Sequence, residues 1–133
     1  LVINPKVDVS MVVALRAINL ALRSLMEVGI VAAFGYWGLQ TGKSAIASIL
    51  LSIGAPVLVF GFWGLVDFRN AGQLSEPLRL FQELVISGLA AFAFYAAGQH
   101  TLGWALALIS IVHHALVYLL GETLLKKNPS LQV

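Results

Sequence analysis

The residues able to do chemistry are few, and they sit in apolar surroundings. Arg23 and Glu27 stand four apart in Leu22-Arg23-Ser24-Leu25-Met26-Glu27, and Arg79 and Glu83 stand four apart in Leu78-Arg79-Leu80-Phe81-Gln82-Glu83, 56 positions later. Gln82 adds a polar group beside the second pair, and His113 and His114 are adjacent near the end of the last apolar run. Such groups permit three kinds of chemistry in an apolar medium. They are charge pairing between helices, proton exchange among carboxylates and imidazoles, and ligation of a metal or tetrapyrrole by histidine.

The elements that position these residues follow from composition. Of 133 residues, 59% are hydrophobic and 11% charged, more apolar surface than a soluble domain of this size can bury. The apolar residues come in runs of about 20, the length that crosses a bilayer as a helix. The expected fold is all-α: a polytopic membrane protein with four transmembrane helices arranged as two tandem hairpins. The spans fall at about 20–39, 45–66, 78–97 and 102–120. They lie in a membrane domain over 11–122, preceded by a flexible or interfacial lead-in at 1–10 and followed by a polar tail at 123–133. The absence of cysteine removes disulfides and thiolate sites. The net charge of +2 comes from cations at span ends, a topology signal and not a nucleic-acid patch.

Within the first span only 12 residues, Val28 to Leu39, separate Glu27 from Gln40. At 1.5 Å per residue they cover about 18 Å of a core about 30 Å thick, so Glu27 lies inside the membrane. Arg16, Asn19, Arg23 and Glu27 share one helix face, which should turn toward other helices. Thr41-Gly42-Lys43-Ser44 echoes the end of a phosphate loop, but the first glycine of that loop would fall on Trp37, and no strand precedes it. In the second span Ala47, Gly54 and Gly61 recur every seven residues as a small-residue seam, and Pro56 is expected to kink the helix. Pro77 is expected at the first helical position of the third span.

Lys6, Arg16, Arg69, Arg79, Lys126 and Lys127 fall on one side of the spans, against Lys43 on the other. By the positive-inside rule both termini are expected in the cytoplasm. Helix rise then places Glu27, Glu83 and His114 at one depth, and the parallel Arg/Glu copies suggest two hairpins related by an axis along the membrane normal. Arginine four residues before glutamate is the less favourable order within a helix, so pairing between helices is expected, Arg23 with Glu83 or Arg79 with Glu27.

Three readings of this cluster stand side by side. One is a structural polar clasp between spans or protomers. A second is a proton path through Glu27, Glu83 and His114. A third is a metal or tetrapyrrole held at His113 or His114; against it, the Glu-x-x-His spacing of di-iron bundles is missing and the arginines already supply positive charge. No catalytic motif stands out.

The Leu-Arg-x-x-x-Glu opening, Gly35-Tyr36-Trp37-Gly38, Pro56, Trp63-Gly64, and Pro77-Leu78-Arg79 with Glu83 together resemble the bacterial YrdB-like family, small four-span membrane proteins of unknown function. The resemblance covers roughly Leu20 to Gly121 and implies the fold and the Arg/Glu pairs, not an activity. The chain departs from it in having Asp67-Phe68-Arg69 where a proline is expected after Trp-Gly, and His113-His114 where an asparagine is expected in the last span. The functional expectation is a non-catalytic structural or accessory component of the bacterial inner membrane. It would sit in the lipid bilayer as a homo-oligomer or as a subunit of a larger complex. The alternatives are a small proton-linked transporter acting as a homo-oligomer, and a tetrapyrrole- or metal-binding subunit.

Overall fold

The computed structural model describes residues 5–125. Four helices follow in order: α1 Pro5–Thr41, α2 Ala45–Leu65, α3 Ser75–Ala96 and α4 His100–Leu119, with one 3-10 turn at Gly72–Leu74 before α3. All four are long and apolar enough to cross a membrane, and the described residues contain no strand. This is an all-α four-helix membrane fold.

Two boundaries differ from the sequence expectation. α1 starts at Pro5 and not near Met11, so most of the expected lead-in is helix. Proline suits the first helical position, where its missing N–H had no partner to lose. With 37 residues, α1 extends about 55 Å, well beyond a hydrocarbon core of about 30 Å. Pro77 is the third residue of α3, not the first, a place still inside the turn whose N–H groups lack helical acceptors. α2 runs unbroken through Pro56, which is buried. Residues 1–4 of the lead-in, and Lys126, Lys127 and Pro129 of the tail, lie outside the described residues.

α1 is the central element. It packs along α2 in a first hairpin and against both helices of the α3–α4 hairpin, while α2 barely meets α3. The buried core is Met26, Ile30 and Ala33 of α1, Ile86, Ala90 and Phe94 of α3, and Leu106 of α4, closed on the α2 side by Trp63. Each hairpin has one close backbone crossing. A Cβ on Gly38 would come 2.5 Å from the Leu51–Ser52 backbone, and one on Gly103 would come 2.7 Å from the Ala91 carbonyl oxygen. Lipid tails are as apolar as these side chains, so close fit and polar ties hold such helices together.

Polar ties cluster at the end of the bundle that carries the 66–74 loop. Arg16 pairs with Glu122 at 3.1 Å. Glu76 accepts from the Tyr118 hydroxyl at 2.8 Å and from the Leu125 N–H at 2.7 Å. In the loop Arg69 donates to Asp67 at 2.9 Å, and these hydrogen bonds hold the exposed Asp67 carboxyl below its ordinary range. The lowered value means this tie is present above the ordinary carboxylate range and is released as pH falls through the lowered value. At the opposite end, Gln99 donates to the Tyr36 hydroxyl at 3.4 Å and joins the α3–α4 turn to α1.

Candidate functional site

The repeated Arg/Glu pairs stand where helix geometry places them. A helical side chain leans toward the N-terminus, so each glutamate reaches back one turn to its own arginine. Arg23 Nε donates to Glu27 Oε1 at 2.9 Å, and Arg79 Nε donates to Glu83 Oε1 at 3.0 Å. Pairing within a helix therefore forms, where the sequence favoured pairing between helices. The order of charges modulates a pair worth only about 0.2–0.5 kcal/mol, whereas an unpaired charge in a dry interior costs several kcal/mol. A cross-helix pair exists as well: Arg23 Nη2 lies 3.5 Å from Glu83 Oε1.

Glu83 is the centre. Its side chain has no exposed surface, whereas that of Glu27 is 42% exposed. Its second oxygen, Oε2, lies 3.0 Å from Nε2 of His114. The other ring nitrogen of His114, Nδ1, lies 2.7 Å from the backbone oxygen of Ser110, which can only accept, so Nδ1 carries a hydrogen. The imidazole therefore bridges the Glu83 carboxylate of α3 and the backbone of its own helix.

His113 turns the other way round the helix. Its Nδ1 lies 2.7 Å from Asn19 Oδ1 on α1, while its Nε2 is buried without a hydrogen-bond partner. The two imidazoles meet edge to face with centroids 5.0 Å apart. Further along, the Ser87 and Ser110 hydroxyls join α3 to α4 at 2.7 Å.

Trp63 completes the cluster from α2. The Arg23 and Arg79 guanidinium carbons lie 5.7 and 5.6 Å from its ring centroid, within the range of cation–π attraction. Arg79 Nη1 also donates to the Trp63 carbonyl at 3.4 Å, one of the carbonyls left open at the end of α2. Gln82 is buried and its Oε1 accepts from Arg79 Nη1 at 3.4 Å, while its amide nitrogen has no partner.

The structure therefore brings together Arg23, Arg79, Gln82, Glu83, His113 and His114, and leaves Glu27 at the edge. Pro56 is seven residues before Trp63 in α2, about 10 Å away by helix rise, and is a packing position. Sequence reasoning puts Asn19 on the inward polar face of the first span but not beside His113, and misses Trp63, Ser87 and Ser110 as members. Asn19 and the two serines carried a signal, since each stands four residues along a helix from Arg23, Glu83 or His114. Trp63 carried none, because its place depends on how far α2 reaches.

These features define a small helical membrane protein with a charged cluster walled in by its own helices. Residues 21–111 match the family described as "Protein of unknown function (DUF2568)", and the chain belongs to that family. The matched segment contains both Arg/Glu pairs and Trp63, and ends before His113 and His114. No curated protein and no solved structure matches the chain.

Proposed function

We propose that the protein is a non-catalytic structural or accessory component of a membrane assembly, with its Arg/Glu/His cluster acting as a clasp between helices. The observation that carries this reading is the engagement of Glu83, whose two oxygens face groups from α1, α3 and α4. Its charge is answered inside the fold. The polar ladder also ends at Ser87 and Ser110. Beyond them, toward the 97–99 turn, Ala90, Ala93, Phe94 and Leu106 are buried and apolar, which favours a clasp over a proton-linked transporter.

A role in assembly draws support from α2. That helix meets α1 through the face carrying Ser52 and Trp63. At about 100° per residue, Gly54 and Gly61 fall on the far face, where an added Cβ would meet nothing within 4 Å. A small-residue face of this kind admits a neighbouring helix closely, from a second copy of the chain or from a larger complex. Placement in the bacterial inner membrane rests on the resemblance of the chain's motifs to the YrdB-like family and on the four apolar helices. The cations near the 66–74 loop support cytoplasmic termini.

Extraction into nanodiscs with native lipid, followed by mass measurement, tests the assembly role. We expect particles holding more than one chain, and we expect Gly54→Leu with Gly61→Leu to return single chains without lowering thermal stability. Single chains from wild-type membranes would contradict it.

A further inference from the structure

We infer that Glu83, His113 and His114 form a binding site for one divalent transition-metal ion of the zinc and iron class. This goes beyond the assembly role and does not depend on it. One ligand atom from each of the three side chains lies within 4.8 Å of the other two, and the residues are 1%, 2% and 4% exposed.

Two independent observations point to a ligand. The first is the buried, unpartnered Nε2 of His113, since a buried polar atom is destabilising until something pairs with it. The second is the orientation of both imidazoles. Nδ1 of His113 faces the Asn19 side-chain oxygen and Nδ1 of His114 faces the Ser110 carbonyl, each at 2.7 Å. Those contacts occupy Nδ1 of each ring and leave Nε2 of each as the ligand position, the outer arrangement that metal-bound imidazoles adopt.

Two imidazole nitrogens and one carboxylate oxygen suit zinc, iron or their neighbours, not calcium or magnesium, which take oxygen ligands. The 3.0 Å between His114 Nε2 and Glu83 Oε2 is near the edge of about 3.3–3.5 Å expected for two ligands on a tetrahedral zinc. The ion would take the place of the direct contact between those two atoms. Arg23 and Arg79 lie on Oε1 and leave Oε2 to the ion. The charges of Arg23 and Arg79 cancel against Glu27 and Glu83 and the imidazoles are neutral as ligands, so a bound dication adds its full charge to the cluster. A cavity of about 490 Å³, lined by Arg16, Asn19, Arg23, His113 and Glu122, borders the site at His113.

The test is titration of the chelator-stripped full chain in detergent with Co²⁺, whose visible bands report coordination. We expect saturable binding of one ion per chain. His113→Ala should abolish it. Asn19→Ala, which keeps all three ligands, should weaken it by about 10- to 100-fold. His100→Ala should leave it unchanged, because that exposed histidine stacks on Tyr95 away from the cluster. Absence of saturable binding to the wild type would overturn the site, as would binding that survives His113→Ala. Should His113→Ala fail to fold, unchanged affinity in Asn19→Ala would still overturn it.

Discussion

Glu27 and Glu83 occupy matching places in a repeated motif, yet they differ in consequence. The side chain of Glu83 is fully buried against Arg79, Arg23 and His114, whereas that of Glu27 is 42% exposed and bonds only Arg23. Removing one partner from a buried ion pair costs about 3–5 kcal/mol, while an exposed pair is worth about 0–1 kcal/mol. Glu83→Gln should therefore lower stability by several kcal/mol and Glu27→Gln by less than about 1 kcal/mol, as read by thermal unfolding in detergent. The residues of the cluster were legible in the sequence because a charge within an apolar run has no bland explanation. Their partners were less so. Whether a glutamate meets a histidine depends on the rotation of another helix about its own axis, which hydropathy does not encode.

At the scale of elements, the four spans were legible to within about three residues, since a chain in lipid must close its backbone hydrogen bonds within each helix. The start of α1 was not. Asn4-Pro5-Lys6 and Asp8 read as a polar lead-in, but proline and an acidic residue are favoured in a first turn. The close crossings were also illegible. Every seventh residue of α2 is small, a seam for a neighbouring helix, yet within the chain the tight approach to α1 is made by Gly38, and Gly103 serves the second hairpin. Both cross backbone atoms that cannot move aside. Gly38→Ala and Gly103→Ala should each cost about 1–3 kcal/mol, whereas Gly54→Ala should be nearly neutral in the single chain. Unfolding of the three variants side by side checks the ranking.

At the scale of the whole molecule, the duplicated sequence does not build a symmetric core. His114 of α4 meets Glu83, but the residue 56 positions earlier is Leu58, which is 75% exposed on α2. The second hairpin closes on α1 through charge, and the first through a glycine crossing and the Trp63 ring. α2 is thus the helix with most surface to offer a neighbour, and α1 with α3 and α4 is the part that must hold itself together.

The clasp itself is tested most directly by a double-mutant cycle between Glu83→Gln and His114→Ala, with unfolding measured in detergent and a chelator present to exclude metal. We expect the two changes to couple by about 0.5–3 kcal/mol, as residues sharing one polar network do. Losses that simply add, to within about 0.3–0.5 kcal/mol, would contradict it.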